Sequence, residues 1–189
     1  MKKYSVIYAD PPWEYRQSGG ITNSRGMAKQ HYPTMRTRDI CDLAISELAD
    51  EQCVLFMWAT FPNIFEAEKV MEAWGFEYKT AAFLWVKQNR KTPSLFWGMG
   101  AYTRANAEVC LLGIKKGTRA TEVVKQRNVH QVILAPVTRH SEKPQEARDR
   151  ITSLMGDVSR VELFARKATE GWDVWGNEVE NDIELTEAA

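Results

Sequence analysis

Tyr4-Ser5-Val6-Ile7-Tyr8-Ala9-Asp10-Pro11-Pro12-Trp13 is the stretch on which the fold turns. Its first six residues read as a buried β-strand. Proline donates no ladder hydrogen bond, so Pro11 and Pro12 cannot continue that strand. The chain must leave the sheet there as a rigid, extended corner. That corner puts a carboxylate, two backbone carbonyls and an indole at the strand's C-terminal edge, where open α/β sheets bind their ligands. A structural turn capped by Asp10 is the alternative reading.

Outward from this corner, strand and helix patterns alternate, which predicts a mostly parallel sheet covered by helices. A polar loop from Glu14 to Arg36 carries Arg16, Arg25 and Lys29. A helix is expected over Arg38–Ala49 and a second buried strand over Cys53–Ala59. Asn63 and Glu66 have capping-box spacing, and Ile64, Ala67, Met71 and Trp74 recur at helical intervals before Gly75. A third strand spans about Tyr78–Lys87. Gln88–Asn106 reads as a long loop, a length that is usually functional. Glu108–Ile114 and Gln131–Ala135 read as strands, Pro144 opens a helix that Gly156 ends, and Arg160–Arg166 is the last strand. There Glu162, Phe164 and Arg166 are expected on one face and Val161 and Leu163 on the other. Residues 1–177 are expected to form a single domain and residues 178–189 an acidic, frayed tail.

The 189 residues suit one α/β domain with a full core, and 44% hydrophobic content excludes disorder. The longest purely apolar run, Cys53–Ala59, is far too short to span a bilayer, and no signal-peptide pattern precedes the polar corner. A cytoplasmic protein without membrane association is expected. Cys41, Cys53 and Cys110 lack metal-ligand spacing and read as buried thiols, and His31, His130 and His140 are scattered, so no metal site is expected. The net charge of zero hides an asymmetry: after Lys167 come seven acidic residues and no basic one. From Lys87 to Arg127, nine basic residues face only Glu108 and Glu122. That block is interleaved with Phe96, Trp97, Tyr102 and Asn106, as phosphate neutralisation plus base contact would need. A solvated surface is the competing reading.

Asp10 and the Pro11 carbonyl offer two acceptors at a fixed separation, which match the two N–H bonds of a planar amino group. Trp13 offers a flat face for a heterocycle. Such a site would hold the exocyclic amine of a base and draw its nitrogen toward tetrahedral geometry. A second ligand fits His140-Ser141-Glu142-Lys143-Pro144, where helix N-terminal amides and Lys143 suit a carboxylate. Trp172, Gly176, Asn177 and Glu178 follow the last strand closely. The competing readings are a surface lysine at 143 and an Arg166–Glu162 ion pair.

Several motifs then occur in one order. They are Ala9 to Trp13, His31 to Thr34, Trp74 to Phe76, Trp85 to Lys87, Gly100 to Arg104, Glu108 to Gly113, His140 to Pro144, Glu162 to Arg166 and Trp175 to Glu178. In them the chain resembles the DPPW-containing adenine amino-methyltransferases, the family named after the seventy-kilodalton subunit of messenger-RNA adenosine methyltransferase. It is most similar to their short bacterial and phage members. The resemblance implies an α/β, Rossmann-like fold, with a mostly parallel sheet, helices on both faces and a permuted order: catalytic corner first, cofactor strand last.

The resemblance also implies S-adenosylmethionine as cofactor. By that likeness Asp10, Pro11, Pro12 and Trp13 are the catalytic corner. Asp10 also meets the methionine amine, and Lys143, with Ser141, meets its carboxylate. Arg166 and Asn177 hold the ribose with Glu178 nearby, while Glu162 and Phe164 complete the cofactor cleft. Trp13, Tyr15, Lys87, Arg104 and Asn106 are the candidate substrate contacts. Only nine residues precede Asp10. Weaker cofactor binding or a substitute loop is therefore expected, compared with longer relatives that use upstream elements. The expected reaction is methylation of the adenine amino group in DNA by a monomer or homodimer. The same reaction on RNA is the first alternative, and a catalytically silent nucleic-acid-binding or partner subunit is the alternative of another class.

Overall fold

The structure, a computed structural model, describes residues 2–14, 33–100, 102–119, 124–138 and 142–185. Tyr15, His31, Tyr32, Ala101, His140, Ser141 and the 15–32 part of the first loop lie outside the described residues.

β1 (Tyr4–Ala9) forms where its sequence places it, with Val6 and Tyr8 on one apolar face and Ile7 and Ala9 on the other. It joins β2 (Ala49–Ala59), β3 (Phe76–Gln88), β4 (Ala107–Lys115), β5 (Val132–Pro136), β6 (Arg160–Leu163) and β7 (Asp173–Trp175) in one seven-stranded sheet of order β5-β3-β4-β2-β1-β6-β7. β1 runs parallel to both β2 and β6, β6 to β7 and β3 to β5, while β4 is antiparallel to β2 and β3. The sheet is therefore mostly parallel. Helices cover both faces. α1 (Thr37–Cys41) and α2 (Ile64–Ala73) pack Ile40, Ala67, Val70 and Met71 against Ile7, Leu55, Met57 and Leu163. α3 (Gln145–Met155) packs Ala147, Ile151 and Met155 against Val6, Tyr8, Phe56 and Trp58. This is the Rossmann-like α/β fold expected from the sequence.

Three local expectations change. The helix expected over Arg38–Ala49 breaks into α1 and a 3-10 turn, Ile45–Glu47, and Ala49 already belongs to β2. Ile40, Ala44, Ile45 and Leu48 have helical spacing, but the Leu48 carbonyl accepts the Tyr4 N–H at 2.8 Å and draws the chain into the sheet. Asn63 does not close a capping box. Its amide donates to Thr60 Oγ1 at 3.0 Å, and Glu66 instead accepts from Lys69. The last expected strand stops at Leu163, because Phe164 has φ +60 and breaks the alternation, so Phe164 no longer shares a face with Glu162. β7 then follows, at three residues too short to show a period.

The segment after Glu178 was expected to fray, but its described part folds back. Asp182 exchanges hydrogen bonds with Val174 in β7, Asn181 accepts the Gly176 N–H, and Ile183 and Leu185 pack on the core.

On the α3 face, one buried ion pair locks helix to sheet. Arg148 Nε and Nη2 donate to the two Glu162 oxygens at 2.7 and 2.5 Å, and both side chains are 6% exposed. The Arg148 guanidinium also lies over the Tyr8 ring at 5.3 Å. Removing one partner strands the other charge away from water, which typically costs about 3–5 kcal/mol. Arg148→Met is therefore expected to lower the unfolding free energy from urea titration by that order, and Arg148→Met/Glu162→Leu to recover most of it. A single variant as stable as the parent would show that the pair contributes nothing.

Candidate active site

β1 lies between two parallel neighbours, and the C-terminal end of such a strand is where open α/β sheets bind their ligands. Three hydrogen bonds set the corner there. Trp13 N–H donates to the Pro11 carbonyl at 2.8 Å, Met35 N–H to the Pro12 carbonyl at 2.8 Å, and the Trp13 indole to the Trp58 carbonyl at 3.0 Å. Trp13 is only 7% exposed and belongs to the core. The open stacking face expected of Trp13 is thus committed to packing, and its indole anchors the corner instead. The Pro11 carbonyl keeps one further lone pair beyond its bond to Trp13.

Asp10 continues the Val6–Tyr8 face and meets the segment that leads into α3. Lys143 Nζ lies 2.7 Å from Asp10 Oδ2 and 3.3 Å from Glu108 Oε2. Lys87 Nζ lies 2.5 Å from Glu108 Oε1. The result is a row of alternating charges, Asp10–Lys143–Glu108–Lys87, along one edge of the sheet. The antiparallel pairing of β4 aligns the start of β4 and the end of β3 with the end of β1. The rings of Trp58 and Trp85 flank the two ammonium groups at 5.8 and 4.9 Å.

Electrostatics along this row are unequal. Burial pushes the Asp10 carboxyl above its ordinary value, opposed by Lys143 and Arg166 and reinforced by Glu108. Burial would also raise Glu108, but Lys143 and Lys87 outweigh it and hold its carboxyl below the ordinary value. Burial disfavours charge on Lys143, yet Asp10 and Glu108 prevail and raise its pKa.

At the ends of β6 and β7 a second cluster assembles. Ala165 N–H donates to the Trp175 carbonyl at 2.9 Å, and Phe164 meets Trp175 edge to face with centroids 5.4 Å apart. Arg166 Nε lies 3.8 Å from Glu178 Oε1, and Asn177 beside it is exposed. A Cβ on Gly176 would stand 2.1 Å from the Ala165 carbonyl oxygen, so only glycine allows this approach.

The structure brings Asp10, Pro11, Lys143, Lys87, Phe164, Arg166, Asn177 and Glu178 to the C-terminal edge. Glu162 lies apart from them, both of its oxygens accepting from Arg148 beneath α3, and the competing Arg166–Glu162 ion pair is not formed, Arg166 facing Glu178 instead. Lys87 faces Glu108 rather than open solvent. Arg104 is exposed on the β3–β4 connection, with its guanidinium 5.5 Å from the Trp97 ring centre, and the Asn106 carbonyl accepts the Lys87 N–H at 2.8 Å. Tyr15 and Ser141 are outside the described residues. Two residues escaped the sequence reading, Glu108 and Arg148. The signal for Glu108 was a lone acid opening an apolar strand inside a basic block. Among the described residues no group of three or more His, Cys, Asp or Glu side chains is placed to hold a metal ion.

The shared ammonium predicts a pH signature. Because the folded-state value of Glu108 is depressed, its contribution is present above its ordinary 4.5 and is lost as pH falls through the depressed value. Lys143→Met removes that contribution and is expected to cost about 3–5 kcal/mol near neutrality. Thermal melts across pH should show the deficit narrowing below about 4.5. A deficit independent of pH would mean packing rather than charge is lost.

Residues 4–178 match the MT-A70 family model. The chain is similar to the Type II methyltransferase M.MunI of Mycoplasma sp, with 36% identity across 97% of this chain and 82% of that protein. It is also similar to the N(6)-adenosine-methyltransferase MT-A70-like protein of Arabidopsis thaliana, 28% identical across 96% of this chain but 24% of the relative. The N(6)-adenine-specific methyltransferase METTL4 of Homo sapiens is 28% identical across 94% of this chain and 38% of its own length. The chain thus spans less than half of these plant and human relatives. With the match running from the first residue of β1 to Glu178, this chain belongs to the MT-A70 family.

Proposed function

We propose that this protein transfers a methyl group from S-adenosylmethionine to the exocyclic amino group of adenine in DNA. The observation that carries the reading is the Asp10 carboxylate at the end of β1, beside a rigid carbonyl and held by a buried lysine. The choice of DNA is the first reading of the sequence, and M.MunI, a relative that aligns across most of both chains and is a Type II methyltransferase by name, supports methyl transfer by a chain of this size. RNA adenosine is the second reading, supported by the N(6)-adenosine-methyltransferase name of the Arabidopsis relative.

The residues present fit the cofactor. A methionine end carries an ammonium and a carboxylate, which call for an acid and a base side by side, and Asp10 and Lys143 are 2.7 Å apart. Pro144, the N-cap of α3, offers no side-chain cap to the first-turn amides. Asn177 and Glu178 are exposed polar groups suited to ribose hydroxyls, and the Phe164–Trp175 pair gives an apolar wall. S-adenosylmethionine, when bound, supplies an electrophilic methyl on a sulfonium.

The chain's own residues would do the rest. Asp10 and the second lone pair of Pro11 would accept the two N–H bonds of the target amine, fixing its direction and withdrawing its lone pair from the ring. Asp10, whose carboxyl burial has raised, is a suitable temporary acceptor for the departing proton. Lys143 steadies the Asp10 carboxylate throughout. Positioning and fixed charges would supply most of the acceleration.

Labelled methyl transfer to unmethylated DNA and to RNA, followed by nucleoside analysis, tests the substrate. N6-methyladenine in DNA is the expected product, and methylcytosine alone would overturn it. Binding without any transfer would assign the chain to silent subunits. Asp10→Asn should cut transfer by about 10²–10⁴-fold, the usual size of a lost proton-handling group, while the protein still binds DNA. The acid limb of the wild-type rate should lie above the ordinary aspartate value of 3.8. Glu108→Gln removes a negative charge facing Asp10 across Lys143, and so should move that limb to lower pH.

A further inference from the structure

The connection between β3 and β4 carries a group of side chains that the chemistry above leaves unused. Leu95, Trp97, Met99 and Tyr102 are 57%, 74%, 71% and 101% exposed, whereas Phe96 is half-buried and its N–H donates to the Lys87 carbonyl at 2.8 Å. Exposed large apolar groups clustered on one short segment mark an interaction surface. Three observations say what kind.

First, the two flanks of the connection, residues 95–100 and 102–106, lie close together in a built arrangement. A Cβ on Gly98 would stand 1.7 Å from the Ala105 carbonyl oxygen, and one on Gly100 would stand 2.0 Å from that of Thr103. Backbone meets backbone there, and that approach brings the Arg104 guanidinium to 5.5 Å from the Trp97 ring centre. Asn89 closes the near end by donating to Ser94 Oγ and the Leu95 carbonyl. Second, residues 88–106 contain Arg90, Lys91 and Arg104 and no acidic residue. An apolar surface of this charge complements a polyanion. Third, both ends of the connection belong to the active edge, since Lys87 and Glu108 are members of the Asp10 charge row.

We propose that these flanks form a preformed nucleic-acid clamp, in which Trp97 stacks on a base beside the target adenine and Arg104 contacts a backbone phosphate. The proposal rests on the reading of the chain as a nucleic-acid methyltransferase and names the part that grips the polymer. Stacking on an exposed indole is indifferent to base identity, since every base has a π-face. Trp97 thus provides grip rather than sequence recognition. Arg104 both orients the indole and adds a phosphate contact, which makes the grip salt-dependent.

The test uses the full chain and two readouts. Fluorescence anisotropy with a labelled, adenine-containing DNA, as duplex and as single strand, is recorded across a salt series. Methyl transfer to bulk unmethylated DNA is measured in parallel. Trp97→Ala is expected to weaken binding by about ten-fold or more, in the range of a lost base–aromatic stack, and Trp97→Phe to restore most of it. Arg104→Gln should lower the slope of log affinity against log salt by about one. In turnover the loss should fall on KM and not on kcat, because neither residue belongs to the charge row.

A Trp97→Ala protein that binds and turns over as the wild type does would overturn the clamp and leave the proposed function standing. So would unchanged DNA affinity with lost self-association in sedimentation, which would mark the surface as a contact between copies of the chain. A wild type that neither binds nucleic acid nor methylates it would overturn the functional reading and the clamp together.

Discussion

The Lys143 ammonium joins three pieces of chain that are distant in sequence: the corner after β1, the start of β4 and the approach to α3. It lies between the Asp10 and Glu108 carboxylates, and Lys87 closes the row from β3. A charge so thoroughly removed from water is tolerated only when it is paired on each side. The geometry of the whole edge follows from that constraint. β4 must run antiparallel to β2 to deliver Glu108 to the same edge, and α3 must begin just after Lys143 to leave the ammonium facing the corner.

The row is graded in a way that suits a reactive carboxylate. Glu108 receives two ammonium groups and stays ionised, while Asp10 shares one of them and keeps a carboxyl raised by burial. The acid at the end of β1 is therefore the more basic of the two. Glu108 and Lys87 act as ballast, holding Lys143 in place without taking all of its charge from Asp10. A second buried pair, Arg148–Glu162, does comparable work below α3 and keeps that helix on the sheet.

Much of this was legible in the chain. Pro11 and Pro12 mark the corner because proline chemistry is local, and β1 and α2 follow from period alone. Gly75 and Gly156 end helices at positive φ, as isolated glycines beyond a periodic segment do. The misreadings occurred where a distant partner overrides local pattern. Ala49 is drawn into the sheet where the Leu48 carbonyl accepts the Tyr4 N–H, Phe164 is turned where Ala165 packs on Trp175 and Gly176, and Asn181 and Asp182 are captured by β7. The candidate site divides in the same way. Asp10 and Lys143 stood out by motif, whereas Glu108 looked like one acid among nine bases, and the pairing of Glu162 with Arg148 had no local signal.

By itself the sequence determined the alternation of strands and helices, the place where β1 must end, and the residue types that could meet an amine and a carboxylate there. Those are consequences of backbone chemistry and of side-chain period, which act over a few residues. Only the tertiary structure decided which charges face one another, that Trp13 is an anchor while Trp97 is open, and that Asp10 is the raised carboxyl of the row. Each of those depends on how much water is excluded and on which opposite charge comes within about 3 Å. Such distances arise between residues as far apart as 10 and 143, and no local pattern in the chain contains them.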